Sequence, residues 1–359
     1  MKLVANIKLI PTPEQETLLQ QTLERCNEAC NWLSGMAFET KTFRHFALQK
    51  ISYRALRDRF SLTAQVAIRC LGKVADAYKI DTDKQRQFRP HSAQPFDDRI
   101  FRFLSDDQLS IWTLGGRQKI AYVCGEHQRR LLAHRKGEVD LMLVRGTWYL
   151  AVVCDIDDPG LIETTDVLGV DFGIVNIATD SDGRPYTGAA IEAVRTKLSR
   201  RRGGLQKRDT KAAKRRLRKL SGKQRRFQTH SNHCISKALV LEAKRSGRAL
   251  SLEDLKGIRS RVKARASQRG RLHNWGFGQL RTFVAYKARL AGVPILFVDP
   301  RDTSRTCPAC GCVDKRNRPN QATFYCVSCG HAGMADHVAA LNIRSKARAA
   351  VAPPAVLGA

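Results

Sequence analysis

The chain has 359 residues, of which 43% are hydrophobic, and its 63 Lys and Arg against 33 Asp and Glu give a formal net charge of +30. That apolar fraction excludes a disordered basic tail. The lack of any run of about 18 apolar residues argues against a membrane span. The N-terminus also lacks the apolar stretch of a signal peptide. The excess of positive charge predicts a polyanionic partner, and nucleic acid is the first candidate. Ribosomal or heparin-type binding is the plainer alternative, and binding to an anionic membrane is the weaker alternative.

The N-terminal part of the chain combines strand and helix patterns. Apolar residues at alternate positions from Leu3 to Leu9 predict a strand, and Thr12, Pro13 and Gln15 predict a capped helix start. Helical spacing of apolar residues then continues to about residue 80. Short strand patterns between 90 and 160 follow, with a hairpin turn near Arg145-Gly146. We therefore expect a small β-barrel that the first strand joins and that the helices interrupt.

From Val167 onward, strand patterns alternate with helical ones. LGVDFG, IVNIATD and RPYTGAA indicate three strands, and residues 195–245 are helical and highly charged. The strand ALSLEDL, a helix ending at Gly292, the strand VPILFVDP, a cysteine segment and a helix from Asp336 complete the series. Such alternation predicts an α/β domain. The Ala- and Pro-rich tail AVAPPAVLGA is predicted to be disordered.

Three acidic residues occupy rigid positions in this α/β part. Asp171 and Glu253 each end an apolar strand, and Asp336 lies in the first turn of a helix. Each has a plainer interpretation, as a turn residue, a solvated strand-end charge or a helix N-cap. Together they predict a site for Mg²⁺ (or Mn²⁺), because phosphodiester cleavage requires carboxylates that converge on ions about 3.5–4 Å apart.

A cysteine cluster lies just before the third acid. Two C-x₂-C pairs, each followed by a glycine, predict a structural zinc site with four sulfur ligands: Cys307, Cys310, Cys326 and Cys329. Cys312 is a fifth nearby thiol without a paired partner. Two disulfides are the alternative, but eleven cysteines without a disulfide framework indicate a reducing, intracellular compartment.

The region between the first two acids is strongly basic. Sixteen Lys or Arg and one acid, Asp209, lie between Arg195 and Arg226. A solvated face is the plainer interpretation, but the position inside the candidate catalytic domain favours contact with a nucleic-acid backbone. The candidate contacts are Arg200, Arg201, Arg202, Lys214, Arg215, Arg216, Arg218 and Lys219. A second basic stretch follows Glu253, from Lys256 to Arg271.

These motifs resemble the TnpB family, the RNA-guided nucleases (OrfB-type, transposase-associated) that insertion sequences encode and that are related to type V CRISPR effectors. NWGFGQLRTFVAYKARLAGVPILFVDPRDTSRTCPACG is the closest match, and LGVDFGIVNIATD, SLEDLKG and CVSCGHAGMADHVAALNI follow the family's order. The resemblance covers residues 1–33 and about 166–346. Met334 and Val338 depart from it, since the family usually has Asp and Asn there, whereas Asn342 is retained.

The resemblance implies a specific α/β fold. An RNase H-like (RuvC) nuclease domain would occupy residues 166–300 and 331–348, with a zinc ribbon inserted at 301–330. A wedge-like β-barrel, residues 1–10 and 90–165, would be interrupted by a helical recognition insert at 11–89, and residues 349–359 would form the tail. Asp171, Glu253 and Asp336 would be the catalytic, magnesium-holding residues, and the four paired cysteines would hold zinc.

The implied function is an RNA-guided, Mg²⁺-dependent DNA endonuclease of a transposable element. Its partners would be a guide RNA derived from the transposon end and double-stranded target DNA. It would act in a bacterial or archaeal cytoplasm beside the nucleoid, with no membrane contact. The resemblance leaves the oligomeric state open. Two alternatives remain: a nuclease-inactive RNA-guided regulator, which would have lost the acids, and a transposase that performs strand transfer on the same fold.

Overall fold

The structure, a computed structural model, describes residues 1–255 and 276–351. It divides into an N-terminal unit, Met1–Asp157, and a C-terminal unit, Asp158–Ala359. The basic stretch predicted from Lys256 to Arg271 and most of the predicted disordered tail lie outside the described residues. Within the described ranges, no helix has both the length and the apolar character needed to span a bilayer.

One antiparallel sheet organises the N-terminal unit. Its seven strands are β1 (Lys2–Ile10), β2 (Gln94–Phe96), β3 (Phe101–Phe103), β4 (Gln108–Thr113), β5 (Gly116–Val123), β6 (Arg135–Val144) and β7 (Thr147–Asp155). The order is β2-β6-β7-β1-β5-β4-β3, so β1 lies in the centre. Only Asp97–Ile100 separates the two edge strands along the chain, and Arg135 of β6 lies 5.5 Å from the Phe101 ring of β3. The sheet therefore curls into the nearly closed barrel that the strand patterns predict.

Helices cover one side of this barrel. They are α1 (Pro13–Glu39), α2 (His45–Phe60), α3 (Ala64–Tyr78) and the short α4 (Glu126–Leu132). α1 begins with the predicted capping box, in which the Gln15 amide N–H donates to Thr12 and the Gln15 side chain accepts from the Thr12 N–H. Leu19, Leu23 and Leu33 on its apolar stripe are fully buried, which is the packing that a 3.6-residue period produces.

The C-terminal unit has a five-stranded mixed sheet between helices. Its strands are β8 (Val167–Asp171), β9 (Asn176–Asp180), β10 (Pro185–Thr187), β11 (Ala249–Glu253) and β12 (Ile295–Val298). The order is β10-β9-β8-β11-β12, and β8, β11 and β12 run parallel. The helices are α5 (Ala189–Gln206), α6 (Lys211–Leu220), α7 (Lys223–Arg245), α8 (Phe277–Ala291) and α9 (Ala335–Val351).

The two faces of this sheet are covered by different helices. Leu168 and Val170 pack with α7 and α8, whereas Val167 packs with α9. α9 approaches β8 so closely that a Cβ on Gly169 would lie 2.3 Å from the backbone oxygen of Ala340. Only glycine fits there, and the contact fixes the start of α9 against the end of β8.

A small cysteine module precedes α9. It contains a 3₁₀ turn (Lys315–Asn317) and a two-stranded sheet of β13 (Thr323–Tyr325) and β14 (Ala332–Met334). The buried Asn317 side chain holds the module together: it donates to the backbone oxygens of Arg305 at 2.8 Å and Cys312 at 3.0 Å, and accepts from the Val327 N–H at 2.9 Å. β14 continues directly into α9, so no loop separates the cysteine module from the helix that carries Asp336.

Candidate active site and zinc centre

The three predicted acids lie at one edge of the C-terminal sheet. Asp171 and Glu253 are the last residues of β8 and β11, which are adjacent and parallel, with Leu252 paired to Val170. Because parallel strands end at the same edge, the two carboxylates are neighbours. Asp336 joins them from the first turn of α9, which packs on β8.

The carboxylates act on one another electrostatically. Burial, and then the negative charges of Glu253 and Asp336, raise the pKa of Asp171 to about 8. Burial also raises the pKa of Glu253, although a hydrogen bond from Thr303 opposes the shift. Asp171 is therefore protonated at neutral pH until a cation approaches. This is the behaviour of a buried carboxylate cluster whose negative charges are not fully balanced by nearby cations.

The three carboxylates form a looser group of metal-ligand side chains than the four cysteines do. Among the described residues, only the four cysteines form a group of three or more metal-ligand side chains whose ligand atoms all lie within 4.8 Å of one another. The carboxylates are therefore spread more widely than that.

Hydrogen bonds orient two of the acids. Glu253 accepts from the Thr303 hydroxyl, and Asn342 of α9 donates to the Thr303 backbone oxygen at 2.7 Å. Asn176 at the start of β9 donates to Asp336 Oδ2 at 2.9 Å. Asn342, which the family resemblance singled out, therefore acts on Glu253 through the loop that carries Thr303.

One cation from the cysteine module faces the acids, and sequence reasoning missed it. Arg318 lines the same cavity of about 400 Å³ as Asp171 and Asp336, and its Nη2 lies 3.8 Å from Asp336 Oδ1. Its charge also opposes the rise in pKa of Asp171 and Glu253. Nothing in the sequence distinguishes Arg318 from the other arginines of this basic segment, because only the folded module brings it to the carboxylates.

A buried hydroxyl in this cavity has no partner among the described residues. Thr179 pairs directly with Asp171 across the β8–β9 ladder, which places their side chains on the same face. The residue is only 4% exposed, yet its Oγ1 makes no hydrogen bond. Buried hydroxyls are normally satisfied. An all-oxygen donor set beside an unsatisfied hydroxyl fits a hard, hydrated divalent cation, because a water on such a cation would be a suitable partner for the hydroxyl.

The two departures from the family pattern have different surroundings. Met334 is 68% exposed and lines the acid cavity, so a thioether stands where a carboxylate is usual. Val338 is 2% exposed and packs with Phe324 and Ala335 in the apolar cluster between the cysteine module and α9. Val338 thus packs in an apolar cluster, whereas Met334 leaves the cavity without a potential ligand.

The four predicted zinc ligands come together. Cys307 and Cys329 Sγ are 3.6 Å apart, Cys310 and Cys326 Sγ are 3.5 Å apart, and all four sulfurs lie within 4.8 Å of one another. These separations are far longer than a disulfide bond and near the ~3.8 Å between sulfurs around tetrahedral zinc. Cys312 does not belong to the group.

Two glycines shape the cysteine loops, as their positions predict. Gly311 and Gly330 have φ of 76° and 75°, a left-handed conformation that glycine adopts without strain. Their N–H groups donate to the backbone oxygens of Cys307 at 2.9 Å and Cys326 at 3.0 Å. Each loop is thereby closed tightly enough to direct both of its sulfurs to one point.

The predicted nucleic-acid contacts are not part of the acid cavity. All eight are exposed on α5 and α6, and none of them lines the acid cavity. Lys214 makes an ion pair with Asp209 at 2.8 Å. Three others, Arg201, Arg216 and Lys219, line a groove between the helices.

Comparison with protein families gives two matches. Residues 151–256 match the family described as "Probable transposase" (OrfB_IS605), and residues 277–343 match "Cas12f1-like, TNB domain". The two matched segments contain all three acids and all four clustered cysteines.

The chain is also similar to several curated proteins. The chain is 30% identical over 217 residues to the CRISPR-associated endodeoxyribonuclease Cas12f1 of Sulfoacidibacillus thermotolerans, covering 55% of this chain and 50% of that one. It is 35% identical over 133 residues to the TnpB-like protein MJ0751 of Methanocaldococcus jannaschii, covering 37% and 47%. It is 25% identical over 227 residues to the putative RNA-guided DNA endonuclease InsQ of Escherichia coli, covering 58% and 56%. The matches to these three span about half the length of each relative.

Among solved structures, the chain resembles the protein in the cryo-EM structure of a Cas12f1–sgRNA–target DNA complex. The TM-score is 0.59 at 14% identity, covering 92% of this chain and 83% of that one. A likeness at this identity shows a shared fold, with its mixed α/β content and nearly closed barrel. The sequence comparisons confirm the family resemblance of the motifs: the chain is similar to the TnpB-like proteins and to the Cas12f endodeoxyribonucleases.

Proposed function

We propose that the protein is an RNA-guided DNA endonuclease whose C-terminal unit contains an RNase H-like, RuvC-type catalytic domain. The observation that carries this proposal is the convergence of Asp171, Glu253 and Asp336 at one sheet edge, where burial and the charges of the other two acids raise the pKa of Asp171 to about 8. The relatives that are named as endodeoxyribonucleases support the same reaction class.

In the proposed mechanism, Asp171, Glu253 and Asp336 hold Mg²⁺ or Mn²⁺. When bound, the metal lowers the pKa of an attacking water and stabilises charge on the leaving oxygen. Asn176 keeps Asp336 in position and Thr303 keeps Glu253 in position. Asp171 would release its proton when a cation binds, because the added positive charge would offset the burial and the neighbouring negative charges that raise its pKa.

Arg318 has a separate task in this mechanism. It is a cation beside three carboxylates and faces the open cavity, where the phosphate of a bound strand would lie. Its guanidinium is suited to contact the non-bridging oxygens of a scissile phosphodiester, since planar donors match phosphate geometry. The zinc ribbon would then be a structural arm: its closed set of four sulfurs leaves no coordination position for chemistry, and it holds Arg318 over the acids.

The domain roles follow the family resemblance and remain proposals. The nuclease domain would comprise 166–300 and 331–348, with the ribbon at 301–330. The barrel of residues 1–10 and 90–165 and the helical insert at 11–89 would hold the guide RNA and read a short motif beside the target. Target choice would then be delegated to RNA–DNA pairing. A guide from the transposon end and double-stranded DNA are the partners expected.

The direct test is cleavage of a labelled duplex by the full chain purified with its co-expressed RNA. Glu253 has a matched neighbour, Asp254, at the same strand end, and Asp254 pairs with Arg281 at 3.1 Å. We expect Glu253→Gln to abolish Mg²⁺-dependent cutting while leaving duplex binding intact, and Asp254→Asn to retain cutting. Cutting by Glu253→Gln at the wild-type rate would remove the catalytic assignment.

A transposase that performs strand transfer is the second candidate, because the matched family is described as "Probable transposase" and because one carboxylate site can support either outcome. Incubation with transposon-end DNA separates the two. Products in which the ends are joined to target DNA would favour the transposase, and simple breaks would favour the nuclease. The retained acids argue against an inactive regulator. Tight binding of target DNA that remains uncut would favour the regulator.

A further inference from the structure

Two adjacent glycines near the end of α5 have no explanation in the fold itself. Gly203 and Gly204 lie within the helix, where glycine is the least favourable residue after proline. Neither has the positive φ that would require glycine. A Cβ built on either residue would meet no atom within 4 Å, so internal packing does not require glycine either. Glycine at such a position leaves the helix main chain open to close approach by a ligand.

The two glycines differ in what they face. Gly204, but not Gly203, lines a groove of about 560 Å³ between α5 and α6. The groove is surrounded by five cationic side chains, Arg201, Arg208, Arg216, Lys219 and Lys223. Sequence reasoning had named three of them; Arg208 and Lys223 are added by the fold.

These five cations converge without a counter-charge. All five are exposed, and within residues 1–255 and 276–351 none makes an ion pair with a carboxylate. The nearby acid Asp209 is instead paired at 2.8 Å with Lys214, which lies outside the groove. Five like charges around one opening repel one another, and a bound polyanion would remove that repulsion.

We propose that this groove binds the phosphodiester backbone of a nucleic-acid strand, and that Gly204 allows the strand to lie against the α5 main chain. The lining contains cations, a glycine and two leucines, Leu205 and Leu220. Its side chains include no carboxylate or amide that could accept a hydrogen bond from a base amine or a 2′-hydroxyl, and its exposed cations are suited to phosphate. Recognition is therefore of the backbone, independent of sequence and of sugar.

The groove chemistry does not suit a membrane surface. Leu205 and Leu220 are half-buried rather than exposed, so the hairpin presents no apolar face that could insert among lipids. The inference rests on the proposed function, because it supplies a backbone contact for the nucleic acid that the catalytic site would cut.

The glycine pair provides a matched test. Gly204→Gln and Gly203→Gln both place a good helix former in α5, so both should raise or maintain its thermal stability. Only the side chain at 204 would enter the groove. With the full chain in buffer that contains no added Mg²⁺ or Mn²⁺, and with fluorescent poly-U and poly-dT strands of about 20 nucleotides as probes, we expect Gly204→Gln to lose at least ~10-fold in affinity. Gly203→Gln should stay within about twofold of wild type.

Salt dependence gives a second, charge-based readout. Each phosphate contact to a single strand contributes about 0.7 to the slope of log affinity against log salt. The double variant Arg216→Gln/Lys219→Gln should therefore reduce the slope by about 1.4. The double variant Arg215→Gln/Arg218→Gln, on the same helix but outside the groove, should reduce it less.

Three outcomes would overturn the inference. Gly204→Gln could bind both probes as wild type does, the two glycine variants could lose affinity equally, or the loss could be confined to one of the two sugars. Binding without added Mg²⁺ or Mn²⁺ is independent of cutting. A wild-type chain that binds through the groove but never cuts would therefore refute the proposed function and leave this inference standing.

Discussion

Replacing Asp171 by asparagine should stabilise the metal-free protein. The fold raises the pKa of this carboxyl from 3.8 to about 8, and a tenfold change in a proton-binding constant corresponds to about 1.4 kcal/mol. In the unfolded chain the group ionises near pH 4. The penalty is therefore absent below about pH 4, grows as the pH rises and levels off above about pH 8.

The size of the effect follows from the two pKa values. Because pH 7 lies about three pH units above the pKa of the unfolded chain, the upper limit there is about 4 kcal/mol. Water in the open cavity screens part of this, so we expect Asp171→Asn to gain about 2 kcal/mol. For a folding unit of this size, that gain raises Tm by about 4–8 °C.

Calorimetry without added Mg²⁺ or Mn²⁺ at pH 5, 7 and 8.5 would measure the gain, which should increase with pH. Asp182→Asn is the control with the opposite sign, because Arg248 donates to both Asp182 oxygens, at 2.8 and 2.5 Å, and lowers the pKa of that carboxyl. Added Mn²⁺ should raise the Tm of wild type and not that of Asp171→Asn. A variant that is less stable than wild type at every pH would refute the electrostatic account of the site.

Three further predictions concern the metal, the zinc and the arginine. Thr179→Val should weaken Mn²⁺ binding by about 10-fold in calorimetric titration, since the hydroxyl that contacts metal-bound water is lost, whereas Thr179→Ser should retain it. Cys310→Ser should lose the single bound zinc measured by mass spectrometry, whereas Cys312→Ser should keep it, because only Cys310 belongs to the four-sulfur group. Arg318→Ala should slow cleavage by about 10²–10³-fold without weakening Mn²⁺ binding, since the positive charge of Arg318 opposes the metal. Arg316→Ala should leave both the cleavage rate and the Mn²⁺ affinity unchanged, because Arg316 pairs with Asp314 at 2.7 Å.

Sequence patterns predicted the elements that carry local information. The cysteine spacing predicted a four-sulfur cluster because two residues between ligands bring both sulfurs of a loop to one point. Apolar runs ending in Asp171 and Glu253 predicted strand ends, and the structure has both residues there. The capping box at Thr12 is likewise present, because its hydrogen bonds join residues only three apart.

Contacts between distant segments were beyond such patterns. The adjacency of β8 and β11 joins residues about eighty positions apart, and periodicity alone does not specify which strands pair. Arg318 reaches the acids only because Asn317 fixes the turn that precedes it. Thr179 was overlooked because a threonine in a strand is ordinary; its unsatisfied hydroxyl becomes visible only once burial and partners are known.

The central claim is that Asp171, Glu253 and Asp336 together hold divalent metal, and a Mn²⁺ titration followed by electron paramagnetic resonance tests it most directly. Wild type should bind up to two ions tightly near neutral pH, with proton release as Asp171 ionises. Asp171→Asn, Glu253→Gln and Asp336→Asn should each lose tight binding. Unchanged stoichiometry and affinity in all three variants would contradict the claim.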